Sequence, residues 1–392
     1  MLHRCLTLLL VMAFLPLGGG EPITIGERVR LRAESLREDR DLLISVPADY
    51  VRGRESYPVL YVLDGEDHFL QLRGTLDFLA RNGLAPEVIL VGIPNTNRTR
   101  DLTPTRGWAR RMDGTWAEVP GAGGGDAFLD FVEKTVFPWV ESRFRSVPFR
   151  ILAGHSLGGL MALHAVAMRP GMFQGCIAAS PALHWDRGYP VRVLEERLRD
   201  KAPLRCTLFA TMANEEATAF YPSPARFTQL KSLLKRGGPE GFQGLSREFP
   251  QENHGTVVFE SHYWGLRAIF DEWRLPKDPS LRSIRSHYDA LSQRWGFPVA
   301  PREAWVNNAG YHHLETGDTR EALQLFRYNL ERHPDSANAQ DSLGEGLERA
   351  GQLREALACY EQAVALATPL KSPLTPVFAA HAERVRRALV NP

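Results

Sequence analysis

Apolar runs typical of β-strands alternate with amphipathic helical patterns between residues 27 and 275, and this alternation leaves few folds open to the chain. It predicts an α/β fold: a mostly parallel, doubly wound sheet with helices on both faces. The first two strands have no helix between them, so we expect an antiparallel edge. The predicted strands are RVRLRAES, DLLISVP, YPVLYVLDG, EVILVGIP, FRILAGHS, GCIAAS, RCTLFATM and LSREFP.

Helical patterns lie between the later strands, and two long polar stretches interrupt them. These stretches run from Asn95 to Gly125 and from Ala217 to Pro224. Both follow the carboxyl ends of strands, where open α/β sheets bind ligands. The predicted helices cover residues 67–81, 126–143, 158–168, 190–199, 224–235 and 259–273.

After Pro276 only helical patterns remain, and they repeat with a period of 34 residues. Gly310, Gly317, Glu321, Ala322 and Phe326 recur as Gly344, Gly351, Glu355, Ala356 and Tyr360. This pattern resembles two tetratricopeptide repeats over about residues 305–369, and the resemblance implies a small all-α domain at 280–392. Two units leave an apolar face open, so flanking helices at 281–295 and 376–389 are expected to cap them.

The first 20 residues have the features of a secretory signal peptide. A basic start precedes an apolar stretch of about a dozen residues and three glycines, Gly18 to Gly20. A buried helix or an uncleaved anchor is the alternative. We therefore expect an exported protein, periplasmic or secreted, with no membrane span once the signal is removed, and an α/β domain at 21–276. With 47 basic and 46 acidic side chains, nothing favours nucleic acid as a partner.

The segment Gly154-His155-Ser156-Leu157-Gly158 matches the G-x-S-x-G motif of a nucleophile elbow. An apolar strand precedes it and a helix rich in small residues follows, as this turn requires. The glycines leave room for a tight turn that exposes the Ser156 hydroxyl. A serine that only caps a helix is the alternative interpretation.

A serine nucleophile needs a base that is itself oriented by a carboxylate. In elbow hydrolases the chain order is serine, acid, histidine, and His254 follows the final predicted strand, where the base belongs. Glu215 and Glu216 follow the strand before it. The chemistry alone does not separate these two acids.

An oxyanion needs donors that are fixed before the reaction. The amide of Leu157 and an amide of Gly65 or Glu66, in the loop after the third strand, fit that role. Four further residues are predicted to contact substrate: Asp64, Arg100, His155 and His184. An ion pair between Arg100 and Asp101 is the alternative for that arginine.

Taken together, several segments make the chain similar to the esterase family of α/β-hydrolases that includes esterase D, the siderophore trilactone esterases and the mycolyl transferases. The resemblance covers about residues 24–275 and implies Ser156 as nucleophile, His254 as base and residues 64–66 as part of the oxyanion hole. Ala213 stands where the family usually has glycine. The segments are YVLDGEDHF, VGIPNTNRTRDLTPT, GGGDAFLDFVEKTVFPWVE, LAGHSLGGLMALHA and ENHGTVVFESHYWGLRAIF.

The sequence thus predicts a serine hydrolase that cleaves a carboxylic ester through an acyl-enzyme, with no metal or cofactor. The substrate is expected to be a small-molecule ester, such as a siderophore-like one. Two alternatives stay open: an acyl transferase on the same site, and a non-catalytic scaffold. The repeats are predicted to bind a protein partner, to self-associate or to support the enzyme domain.

Overall fold

A computed structural model describes residues 23–48, 50–51, 55–110, 115–215 and 223–390. The predicted signal peptide and Glu216 lie outside these residues. None of the described helices is both long and apolar enough to cross a bilayer.

Eight strands form one sheet in the order β1-β2-β4-β3-β7-β8-β9-β10. The first two strands and the β2–β4 pair are antiparallel, and the remaining pairs are parallel, which confirms the predicted fold class. A small hairpin of two further strands, β5 and β6, lies within the long stretch after β4, where the sequence predicts only a loop. The strands are β1 (Glu27–Ala33), β2 (Glu38–Ser45), β3 (Tyr57–Leu63), β4 (Ile89–Ile93), β5 (Trp108–Arg110), β6 (Trp116–Glu118), β7 (Ser146–His155), β8 (Gly175–Ala179), β9 (Cys206–Ala213) and β10 (Phe242–Phe249).

Burial follows strand position in the sheet. Every residue of β3, β4, β8 and β9 is buried, as expected for strands covered on both faces. Edge strand β1 instead has mostly exposed side chains, and Arg28 and Arg30 pair with Asp41 on β2. Charged side chains on an edge strand discourage pairing with a further strand.

Helices cover both faces of the sheet. Apolar side chains of α1 and α8 pack on one face, and those of α3 to α7 pack on the other. The first eight helices are α1 (Gly65–Arg81), α2 (Arg98–Asp101), α3 (Gly125–Phe131), α4 (Phe137–Arg143), α5 (Leu157–Met168), α6 (Trp185–Arg199), α7 (Ser223–Arg236) and α8 (Val257–Ile269). A π-helical turn, Val132–Val136, joins α3 to α4 immediately before Pro138.

The remaining helices repeat in pairs. The pair α10–α11 begins at Glu303 and Thr319, and the pair α12–α13 begins at Ala337 and Leu353, 34 positions later. In each pair a glycine of the first helix admits an aromatic ring of the second: a Cβ on Gly310 would lie 2.4 Å from Phe326, and one on Gly344 2.7 Å from Tyr360. The C-terminal helices are α9 (Leu281–Trp295), α10 (Glu303–Glu315), α11 (Thr319–Arg332), α12 (Ala337–Arg349), α13 (Leu353–Ala367) and α14 (Thr375–Val390).

One apolar cluster crosses the domain boundary that the sequence predicts at residues 276–279. Phe149 on β7 contacts the rings of Trp295 and Phe297, with centroids 4.8 and 6.4 Å apart. Arg302 donates to the Ala80 carbonyl at the end of α1. The first C-terminal helices therefore share their core with the α/β part.

Candidate active site

Ser156 lies on a strained turn between β7 and α5. Its backbone angles are φ 57° and ψ −111°, which side-chain-bearing residues rarely adopt and which cost about 1–3 kcal/mol. Its N–H donates to the Ala179 carbonyl, and its carbonyl accepts from the Ala182 amide, both at 3.0 Å. A Cβ on Gly154 would lie 2.3 Å from the Gly158 carbonyl oxygen, so the turn requires glycine there. The surrounding contacts thus hold the serine in the geometry of a nucleophile elbow.

His254 and Glu215 meet at the carboxyl ends of neighbouring strands. Phe249 at the end of β10 is in register with Ala213 at the end of β9, so the loops that follow start side by side. The Asn214 amide then donates to the Glu252 carbonyl at 2.8 Å. Across this junction Nδ1 of His254 lies 2.7 Å from Oε1 of Glu215.

The environment of this pair suits a base oriented by a carboxylate. The Glu215 side chain is only 7% exposed, whereas that of His254 is 38% exposed. A carboxylate that accepts the Nδ1 proton fixes the imidazole tautomer and leaves Nε2 with its lone pair. The second carboxylate oxygen, Oε2, is buried without a hydrogen-bond partner among the described residues.

His155 links the elbow to the His254 ring. The two ring centroids are 4.6 Å apart, at an interplanar angle of 47°. Burial, followed by the nearby His254, lowers the pKa of His155 to about 4, so this imidazole is neutral at pH 7. The residue next to Ser156 therefore packs directly on the ring of His254, and both lie on the same rim of the sheet.

The loop that begins α1 faces the elbow. Asp64 has left-handed angles, φ 53° and ψ 47°, and its side chain is buried. The amides of Gly65 and Glu66 start α1, and that of Leu157 starts α5, so they have no acceptor within their helices. A Cβ on Gly65 would lie 2.6 Å from the Ile93 amide nitrogen, and only glycine fits this approach.

Arg98 and Asn95 fix this loop, a role that the sequence analysis missed. Arg98 donates to both oxygens of Asp64, at 2.6 and 3.0 Å, and also to the His155 carbonyl at 3.2 Å. The Asn95 side chain donates to Asp64 at 2.7 Å, and its backbone amide donates to Glu66 at 3.2 Å. The sequence signal for both residues is their position in the loop region that follows the buried strand β4.

Two predicted substrate contacts have structural partners. Arg100 donates to both oxygens of Glu38, at 3.1 and 2.7 Å, and to Asp101 at 2.6 Å. Hydrogen bonding to Arg100 lowers the pKa of Glu38 to about 2. His184 lies 3.0 Å from the Ser223 hydroxyl, and burial lowers its pKa to about 4. Asp64 likewise has partners within the protein, since its carboxylate accepts hydrogen bonds from Asn95 and Arg98.

Comparisons with known proteins identify the family and several relatives of this chain. The family model described as "Putative esterase" matches residues 33–232. The siderophore triacetylfusarinine C esterase of Aspergillus fumigatus is 35% identical over 153 residues, 35% of this chain and 48% of that protein. The ferri-bacillibactin esterase BesA of Bacillus subtilis is 28% identical over 221 residues, 52% of this chain and 75% of that protein.

A solved structure is similar over a longer stretch. The IroE-like serine hydrolase from Shewanella oneidensis has 30% identity and a TM-score of 0.68, and the match covers 78% of this chain and 99% of that protein. The chain spans about half the length of the Aspergillus relative. The family match covers half of the chain and includes the elbow. The chain belongs to the "Putative esterase" family of α/β-hydrolases.

Proposed function

We propose that this protein hydrolyses carboxylic esters through an acyl-enzyme, with Ser156 as nucleophile, His254 as general base and acid, and Glu215 as the orienting carboxylate. The observation that carries the proposal is the 2.7 Å contact between Nδ1 of His254 and Oε1 of Glu215, beside a serine with elbow geometry. Membership of the esterase family supports it independently.

The reaction proceeds in two steps. Nε2 of His254 accepts the proton as the Ser156 oxygen attacks the ester carbonyl, and the imidazolium returns that proton to the departing alcohol. A water molecule, deprotonated by the same nitrogen, then attacks the acyl-enzyme and releases the acid. Glu215 keeps its negative charge throughout and stabilises the imidazolium. No cofactor is needed for these steps.

The negative charge of each tetrahedral intermediate needs donors that are already in place. The amides of Leu157, Gly65 and Glu66 start two helices, whose N-terminal ends also favour a negative charge. Asp64 and Arg98 hold the two helix starts together, since Arg98 contacts both the loop and the elbow. We therefore assign both side chains to positioning these donors.

The substrate that we propose is an ester of a siderophore-like compound. The Aspergillus relative is a siderophore esterase by name, and the Bacillus relative is named a ferri-bacillibactin esterase. We also propose that the protein is exported, on the basis of its first 20 residues, and that the helix pairs are tetratricopeptide repeats. Because α9 and α10 share a core with the sheet, we assign these helices a supporting role.

A panel of esters tests the activity. Purified protein is assayed with p-nitrophenyl esters of increasing acyl length and with a tris-catecholate trilactone. We expect hydrolysis by the wild type, loss of activity in Ser156→Ala, and no change in Ser142→Ala, which alters an exposed serine on α4. Equal rates in the Ser156→Ala variant would overturn the proposal. An added alcohol that takes the acyl group in preference to water would indicate a transferase instead.

A further inference from the structure

A cluster of three metal-ligating side chains lies far from the active site in sequence, between α12 and α14. Asp341 and Glu345 are one turn apart on α12, so they share a face, and His381 on α14 points at both. Nδ1 of His381 lies 2.9 Å from Oδ1 of Asp341 and 3.9 Å from Oε1 of Glu345. Within the described ranges this is the one group of three such residues whose ligand atoms lie within 4.8 Å of one another.

Asp341 and His381 are largely shielded from water, whereas Glu345 is partly exposed. The Asp341 side chain is 8% exposed, His381 18% and Glu345 33%. A buried carboxylate beside a second, partly buried one is stabilised by a compensating positive charge.

The neighbouring guanidinium is already used. Arg384, one turn after His381, donates to both oxygens of Glu348 at 3.0 and 2.8 Å. Arg384 thus hydrogen-bonds to Glu348 and acts on Asp341 and Glu345 through its longer-range charge. Those two carboxyl groups contact the His381 imidazole, and Glu345 also contacts the Tyr311 hydroxyl. With a neutral imidazole the pair of carboxylates has a charge of −2, which a divalent cation balances.

The spacing and the donor types favour zinc among such cations. Ligands around a tetrahedral Zn²⁺ lie about 3.3 Å apart, because each bond is about 2.0–2.2 Å long. The two separations from His381 fall on either side of that value, so small side-chain rotations suffice. One imidazole nitrogen with two carboxylates suits zinc, whereas Ca²⁺ and Mg²⁺ prefer oxygen ligands alone.

We propose that Asp341, Glu345 and His381 bind one Zn²⁺ ion, with water in the fourth position. The ion joins the terminal helix α14 to the first helix of the second pair. This role is structural and independent of ester hydrolysis, because all three ligands belong to the C-terminal helices.

Zinc titration of the full chain tests this site. The protein is stripped with a chelator, dialysed, and titrated with Zn²⁺ against a chromophoric competitor, and Co²⁺ is added separately to record its visible spectrum. We expect one site, a tetrahedral Co²⁺ spectrum and a raised unfolding temperature with zinc. His381→Gln and Asp341→Asn should each weaken binding by at least about tenfold, while His312→Gln, at an exposed histidine of α10, should leave it unchanged.

Circular dichroism establishes whether each variant is folded. If a variant does not fold, Glu345→Gln is used in its place, because Glu345 is the most exposed of the three ligands and its substitution perturbs the fold least. Absence of stoichiometric zinc binding by the wild type would overturn the proposal and leave a simple hydrogen bond between His381 and Asp341. Unchanged affinity in folded ligand variants would also overturn it, by placing the zinc elsewhere.

Discussion

Replacing Glu215 by glutamine isolates the contribution of its charge, because the two side chains have the same shape. The carboxylate accepts from Nδ1 of His254 at 2.7 Å. A glutamine can turn its amide group so that it donates to Nδ1 instead, which moves the ring proton to Nε2 and blocks the base. In serine-protease triads the corresponding change lowers kcat by about 10⁴-fold.

For Glu215→Gln we expect kcat to fall by about 10³- to 10⁴-fold, or about 4–5.5 kcal/mol in activation free energy. KM for a p-nitrophenyl ester should change little, because the side chain is buried behind the imidazole. Glu248→Gln, on an exposed carboxylate of β10, is the control. A folded Glu215→Gln enzyme within about tenfold of the wild-type kcat would refute the assignment, because the negative charge of Glu215 would then contribute little to catalysis.

Three further predictions concern the surroundings of the site. Arg98→Gln removes the cationic partner of the buried Asp64 carboxylate, which keeps its hydrogen bond from Asn95. It should lower both kcat and the free energy of unfolding, the latter by about 1–3 kcal/mol; unchanged stability in urea unfolding contradicts this. Burial lowers the pKa values of His155, His184 and His262, the last of which is a fully buried residue of α8. Below the ordinary histidine pKa of about 6.5, these three side chains therefore bind protons in the unfolded chain but not in the folded one. Stability should therefore be full above pH 6.5 and fall toward pH 4, by about 1.4 kcal/mol per pH unit for each histidine, and equal urea midpoints at pH 7.5 and 5 would count against it. A chain ending at residue 276 should aggregate on expression, because it loses the part of the apolar cover of one sheet face that α9 and α10 supply, and a soluble, cooperatively unfolding product would refute the shared core.

The elbow could be predicted from sequence because its determinants are local. The glycines, the preceding strand and the following helix are contiguous, and the structure requires glycine at position 154 for the reason that the motif suggests. For the loops after β9 and β10, the sequence predicts only which strand each one follows, and not the contact between their side chains. Which of two consecutive glutamates faces His254 depends on the turn after Ala213, where the Glu215 amide donates to the Ala213 carbonyl.

The loop contacts could not be predicted, since they join distant parts of the chain. Arg98 reaches Asp64 and the His155 carbonyl across 34 and 57 positions, and no pattern along the sequence encodes those approaches. The continuous core was missed for a similar reason. A change from alternating strands and helices to helices alone marks a change of architecture, but side chains such as Trp295 can still pack on the sheet.

Labelling with a fluorophosphonate, followed by peptide mapping, tests the catalytic assignment most directly. Such a reagent forms a covalent bond only with a serine that a nearby base activates. The wild-type protein should carry one phosphonyl group, on Ser156, and labelling should be at least about a hundredfold slower in His254→Ala. A label on another serine, or undiminished labelling of Ser156 in folded His254→Ala, would contradict the account.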